Sequence, residues 1–500
     1  MVNNYLTKHI KIDEQSKLLL IVILLSLLLF DNGLYMFIPT AVFFLVLYNL
    51  QQPLKPAVFS LIVIQHFINI IAAALLANYL DKDINYRSPS QGTAIIASSI
   101  GLIFLMLPVY YFQKKIPAQT KAGLKFYADQ FSSEKVMYAY IIAYFTFSAL
   151  GGIAFLFSGL TQVIFSFVKV KWLLFLLFGF QCFLKDKNKK IFYLFVVFEF
   201  ISGFLSFFSD FKTVIFYLAI LIIALVDRLS FKQVFSELLI GVALAGFGLV
   251  WTNVKGEYRS FLNSGSTAQV VGVKSDAALN KLYDLSNNVS EDKLNGSVTQ
   301  MLDRLQYTFH FAKTIDRMPA VLPFENGANW LGSLKFATTP RFLNPDKPNY
   351  EATTKVRKYT GLRYLGAKNG VSFSLGYFGD CFIDFGLWGM MGILLTLGFL
   401  YGKIYFWLLK TASKNLVFNY CVVSAFFMEF NAMEMDSTYI LGRLFASFLT
   451  FFVLIKFFFP WLINYLSIEV EKVKKNVLMP GTGAAVAADY AGQTPAKSTQ

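Results

Sequence analysis

KVKWLLFLLFGFQCFLKDKNKK, residues 169–190, decides the fold: a largely apolar run over 169–184 is closed by Lys185, Lys187, Lys189 and Lys190. An apolar run of this kind suits a bilayer core, and lysines gathered at its end mark the cytoplasmic side of a spanning helix. The same pattern recurs outward in both directions. Apolar runs lie at roughly 18–30, 34–49, 57–79, 93–113, 137–157, 191–208, 213–227, 233–252, 382–407, 415–433 and 439–464. The first two are interrupted by Asp31-Asn32-Gly33 and are read as two spans. Together the runs predict an all-α polytopic membrane protein of about twelve transmembrane helices.

Composition agrees. The 500 residues are 56% hydrophobic and only 15% charged, whereas a soluble domain sits nearer 45–50% and about 25%. Phe is used 55 times and Tyr 26 times, which suits lipid-facing surfaces and interfacial belts. A net charge of +15 could indicate a nucleic-acid partner, but the basic residues gather in short loops between apolar runs, and this is a topology signal. With the N-terminus in the cytoplasm, every second short loop collects lysine. Roughly 20 basic residues then lie inside against about 5 in the short outside loops. Both termini are cytoplasmic on this reading. Cys182, Cys381 and Cys421 are far apart and show neither metal-ligand nor redox spacing, so no disulfide and no metal site is expected.

The division that follows is 1–252 for spans one to nine, 253–381 for a large periplasmic loop, 382–466 for spans ten to twelve, and 467–500 for a largely disordered cytoplasmic tail. The loop is expected to be partly helical. From Val298 to Ile315 the apolar positions Val298, Met301, Leu302, Leu305, Phe309 and Ala312 follow helical spacing, while Asp303, His310 and Arg317 fall on another face. Pro319 follows the end.

The loop also holds the residues best suited to chemistry. Pro340, Pro345 and Pro348 stiffen a segment carrying Arg341 and Lys347, and Lys355, Arg357, Lys358 and Arg363 follow. A rigid arginine at a membrane surface suits bidentate capture of phosphate or pyrophosphate oxygens, with lysine adding a point charge. Solvated charges that meet lipid headgroups are the plainer reading of the same cluster. His310 has the side chain of a general base near neutral pH, although a lone helical histidine also serves as packing. Glu257 and Arg259 lie just past the ninth span, where snorkelling is their alternative role. Asp210, Lys212, Glu434, Asp436 and Arg443 are placed to close a site from the opposite wall. Within the apolar runs His66, Glu199, Glu237, Glu429 and Lys456 are costly in hydrocarbon and form no obvious ion relay. There is no phosphate-binding Gly-rich loop ending in Lys-Ser/Thr, no dinucleotide fingerprint and no His-Glu-x-x-His, so an ATP-driven machine is not expected.

Three segments carry a resemblance to a known family. Pro340-Arg341-Phe342-Leu343-Asn344-Pro345-Asp346-Lys347-Pro348, Lys255-Gly256-Glu257-Tyr258-Arg259 after one span, and Leu375-Gly376-Tyr377-Phe378-Gly379-Asp380 before the next accompany many spans and one large late loop. The chain thus resembles bacterial oligosaccharide repeat-unit polymerases (the Wzy type), over about 40 residues at motif level and most of the chain as architecture. The resemblance implies an inner-membrane, metal-independent glycosyltransferase without a cofactor, acting on undecaprenyl-pyrophosphate-linked oligosaccharides. It implies the lipid bilayer and a chain-length regulator as partners, and no nucleic acid. It further implies Arg341 as the main pyrophosphate clamp, helped by Arg259, Arg317, Lys347, Arg357 and Arg363, with His310, Asp380 or Glu257 as the base.

No second arginine-rich outside loop of similar size is present, which keeps open an O-antigen ligase that moves finished glycan onto a lipid core. A flippase for lipid-linked oligosaccharide and a non-catalytic scaffold are the non-enzymatic rivals. A transporter is expected to show repeated halves and polar groups near the midplane, whereas here the polar residues gather in the loop.

Overall fold

A computed structural model describes residues 9–153, 161–206, 210–265, 271–289, 291–339, 344, 346–366 and 372–468. The described residues are almost entirely helical. In chain order the helices are α1 (Glu14–Ser26), α2 (Gly33–Leu50), α3 (Val58–Tyr79), α4 (Gln91–Lys114), α5 (Lys121–Asp129), α6 (Ser133–Ile153), α7 (Thr161–Lys185), α8 (Lys189–Phe204), α9 (Phe211–Leu225) and α10 (Phe231–Leu262). They continue as α11 (Ser275–Asn287), α12 (Glu291–Leu305), α13 (Thr308–Arg317), α14 (Ala328–Thr338), α15 (Ala352–Thr360), α16 (Gly376–Thr411), α17 (Leu416–Phe427), α18 (Ser437–Val453) and α19 (Phe459–Leu466). The one sheet described is a parallel pair of two-residue strands, β1 (Lys11–Ile12) and β2 (Arg228–Leu229).

Each apolar run expected from the sequence falls on a helix. Seven described helices are long and apolar enough to cross a membrane: α2, α3, α4, α7, α10, α16, and α18 continued through α19. The α9 and Leu416–Phe430 helices are apolar but shorter. Apolar side chains such as Leu238, Ile240, Val242, Leu449 and Phe457 are exposed on these helices, a surface that lipid covers.

Hydrogen bonds define two ends of the bundle. At one, Phe231 N–H donates to the Asp13 carboxylate and Lys55 Nζ donates to the Gln113 and Ile116 carbonyls at 2.9 and 2.8 Å. Lys55 is buried with no carboxylate among these partners, and burial pulls its pKa down to about 8. The Asn415 amide also reaches the Tyr127 carbonyl there, at 2.7 Å. At the other end the helices α12 to α15 fold over the start of α4, α16 and α18 and the end of α3 (the loop end below). Asn69 Nδ2 donates to the Leu305 carbonyl at 2.8 Å, Gln91 Nε2 to Thr308 Oγ1 at 3.0 Å, and Ser90 N–H to Asp316 at 3.1 Å.

Two expectations need correction. The ninth run does not stop at 252, because α10 continues to Leu262 and so carries Glu257 and Arg259 on its last turns. The helix expected over 298–315 is interrupted at Gln306-Tyr307, giving α12 and α13. This turn lets α13 pack against α4 and α16, so His310 is buried although it lies on a face apart from the apolar positions.

Close approach of α4 and α16 forms the centre of the bundle. A Cβ on Gly398 would collide with the Leu105 carbonyl, so only glycine lets the two backbones meet there. The helix α16 is itself broken at Phe385-Gly386, where Gly386 has φ +69°. Residues 376–384 therefore belong to the loop end, and the apolar stretch begins after the break.

Candidate functional site

Carboxylates fasten the loop end to the bundle. Asp384, just before the α16 break, accepts from the N–H groups of Gly327, Asn329 and Trp330, each at 3.0 Å, and so caps the start of α14. Asp380 is fully buried; its Oδ1 accepts from Lys355 Nζ at 2.8 Å and its Oδ2 from Ser437 N–H at 3.0 Å. Asp436 caps α18 by accepting from Tyr439 N–H at 3.2 Å, and Tyr350 donates to its other oxygen. Burial opposes the Lys355 charge, yet Asp380, Asp436 and Asp384 outweigh it and raise the lysine pKa. Burial also raises Asp436 above the ordinary carboxylate range.

A second group surrounds residues 361–366. Arg357 Nε donates to the Tyr364 carbonyl at 2.8 Å, and its Nη2 lies 3.9 Å from Glu351. Arg317 has a buried Nε with no hydrogen-bond partner among the described residues. Its guanidinium rests against Gly361, which ends α15 at φ +74°; a Cβ there would sit 2.8 Å from Nη1. Arg363 is exposed on the same segment. His310 Nε2 lies 3.2 Å from the Tyr364 hydroxyl, and Tyr364 stacks on Phe373 with ring centres 4.0 Å apart. The His310 ring is enclosed by Tyr307, Phe309, Tyr364 and Phe373, and burial pushes its pKa down to about 4. It is a neutral imidazole at physiological pH.

Tyr307 connects this group to a cavity of about 500 Å³ between α3, α7, α9, α17 and α18, which Leu305 and Tyr307 also line. Its ring centre lies 5.4 Å from that of His310, and its hydroxyl donates to Glu434 at 3.2 Å. Within the cavity Lys169 pairs with Glu429, which also accepts from Ser447. The larger hollow of about 700 Å³ beside Leu107 and Phe399 is almost wholly apolar and carries no such chemistry.

The expected site residues thus separate. His310, Arg317 and Arg357 all meet the 361–366 segment, which itself carries the exposed Arg363. Asp380 does not serve as an accessible base, because both its oxygens are engaged and buried, and its place in the fold is that of an anchor. Lys347 is not aimed at a substrate: it donates to the Phe336 and Thr339 carbonyls and closes the end of α14. Glu257 pairs with Lys281 at 2.8 Å on the α10–α11 side, apart from the His310 group. Arg259 lies within electrostatic reach of Asp210 at the cavity. Arg341 lies outside the described residues. Asp210, Lys212, Glu434 and Arg443 line this cavity, which does not include the arginine group, whereas Asp436 belongs to the anchor. Lys169 and Lys171 lie inside an apolar run, where the cost of charge in hydrocarbon is the one signal that singles them out. No group of three or more His, Cys, Asp or Glu suited to a metal occurs among the described residues.

No curated protein and no solved structure matches the chain. One family does, over residues 60–463, from α3 into α19, so that bundle and loop end are matched as one stretch; the chain belongs to the family described as Domain of unknown function (DUF8712).

Proposed function

We propose that this protein is a membrane glycosyltransferase of the repeat-unit polymerase type, which transfers a glycan from undecaprenyl pyrophosphate onto the next lipid-linked repeat unit. In this reading it sits in the bacterial inner membrane with about twelve spans, both termini are cytoplasmic, and residues 253–381 are periplasmic. The observation that carries it is that Arg317 and Arg357 both pack on residues 361–366, the segment that bears the exposed Arg363, next to the His310 environment. Net positive charge held by a packed scaffold beside a bundle suits a pyrophosphate leaving group, and guanidinium is the side chain matched to it.

In the reaction an acceptor hydroxyl oxygen forms a bond to the anomeric carbon as the bond from that carbon to pyrophosphate breaks. The electron pair leaves with pyrophosphate, where arginine stabilises it, and the hydroxyl proton passes to a base. His310 is the candidate for that base, the proton reaching its Nε2 through the Tyr364 hydroxyl 3.2 Å away because the ring itself is enclosed. Its low basicity at rest rises when the departing anion is beside it, since a negative neighbour favours imidazolium.

The test is deletion of the gene in its host, followed by restoration with wild type or Arg317→Ala at matched membrane levels. Surface polysaccharide is then resolved on a gel. Loss of long chains on deletion, restored by wild type and reduced about 10²–10³-fold in Arg317→Ala, supports the reading. Finished polymer trapped on its lipid carrier identifies a ligase instead. Unchanged polysaccharide in the deletion strain overturns the glycosyltransferase reading.

A further inference from the structure

The cavity beside Tyr307 and the arginine group differ in charge, and that difference assigns them to different parts of a ligand. The cavity lining holds three cations, Lys169, Lys212 and Arg443, and three carboxylates, Asp210, Glu429 and Glu434. An anion entering it would meet as much repulsion as attraction, and so would a cation. Side-chain amides from Gln65, Asn69 and Asn431 add donors and acceptors in equal measure. An apolar ligand would strand the Gln65 and Asn431 amides without partners, which costs free energy for each one. Aromatic side chains complete the lining: Phe165, Phe216 and Tyr307, with Trp172 and Tyr217 stacked on one another with ring centres 4.7 Å apart. At about 500 Å³ the cavity falls within the roughly 300–1,000 Å³ typical of small-ligand sites.

We infer that this cavity is a binding site for an uncharged saccharide. Its chemistry asks for a ligand rich in hydroxyls, able to donate and accept at once, with apolar ring faces to lie on aromatic side chains. The inference rests on the glycosyltransferase reading only for its assignment as the acceptor subsite; saccharide recognition by the cavity stands separately. The Tyr307–His310 contact then places the bound sugar next to the proposed base, whose other partner, Tyr364, lies on the segment that Arg357 holds.

The experiment uses Thr213→Cys, which places a thiol on the cavity wall of the full-length protein in lipid nanodiscs free of sugar-headed detergent. Cys182, Cys381 and Cys421 are buried and give a low maleimide background. Labelling is timed with added oligosaccharides, released by mild acid from the host's own surface polysaccharide, or with inorganic pyrophosphate. The oligosaccharides are expected to slow labelling by the factor 1 + [L]/Kd, roughly tenfold near ten Kd, while pyrophosphate has little effect. Gln65→Leu in the same background is expected to label at the same rate without sugar and to lose protection at least severalfold. Protection by pyrophosphate and not by oligosaccharide, or by neither, overturns the inference. Oligosaccharide protection together with unchanged polysaccharide in the deletion strain keeps the saccharide site and removes the polymerase role. A polymerization defect without protection does the reverse.

Discussion

At the scale of single residues, His310 is where environment most changes intrinsic chemistry. Its ring lies among four aromatic side chains, and burial brings its pKa to about 4 against an ordinary 6.5. A histidine depressed in the folded state binds protons more readily when unfolded. Its neutral form therefore contributes stability that is fully present above pH 6.5 and is lost as pH falls from 6.5 through 4. The shift corresponds to about 3 kcal/mol over that window. Thermal unfolding in nanodiscs at pH 7.5 and 4.5 is expected to show a larger drop for wild type than for His310→Phe. Equal drops would mean that the ring is solvated or charged in the folded protein. The sequence marks His310 by residue type and helical position, on a face apart from the apolar positions of 298–315. The turn at Gln306-Tyr307, which rotates α13 onto α4 and α16, has no Gly or Pro to announce it.

At the scale of elements, the loop end is held by charge as well as by apolar packing. Lys355 on α15 meets Asp380 on α16, close to Asp436 at the start of α18, so three elements share one buried ion cluster. Removing the cation leaves two buried carboxylates without compensation, and breaking such a pair typically costs about 3–5 kcal/mol. Lys355→Met is expected to lower stability by that order and to expose residues 346–366 to protease, whereas Lys355→Met with Asp380→Asn recovers much of the loss. The cleavage pattern separates this from global unfolding: cuts confined to 346–366 indicate release of α15, and cuts spread through the bundle argue against a local latch. None of this was legible beforehand. Asp380 precedes an apolar run, where a loop carboxylate and an anchoring carboxylate read alike, and its partners lie 25 and 57 positions away.

At the scale of the whole molecule, hydropathy and lysine placement made the helical bundle legible. Burial in a bilayer core demands long apolar runs, and the runs had to become helices because backbone groups there have no water to bond. The charges inside those runs were harder to interpret, since their cost is met by distant residues. On α7, Lys169 and Lys171 are two positions apart and so point to different sides. Lys169 meets Glu429 and Ser447 beside α17 and α18, and Lys171 meets Glu199 on α8 at 3.0 Å, with Tyr140 of α6 donating to the same carboxylate at 2.6 Å. One helix thus ties the two sides of the bundle together through separate ion pairs. Lys169→Met and Lys171→Met are each expected to cost about 3–5 kcal/mol by stranding a carboxylate. Pairing each with Glu429→Gln or Glu199→Gln removes the stranded charge and is expected to return most of the stability. Because the pairs share no partner, the cost of Lys169→Met with Lys171→Met is expected to equal the sum of the single costs within about 0.5 kcal/mol. Denaturant unfolding of the wild type and these five variants in one lipid composition checks this. A double loss well short of the sum would show that the two sides of α7 respond as one unit, with disruption of either pair already loosening the other.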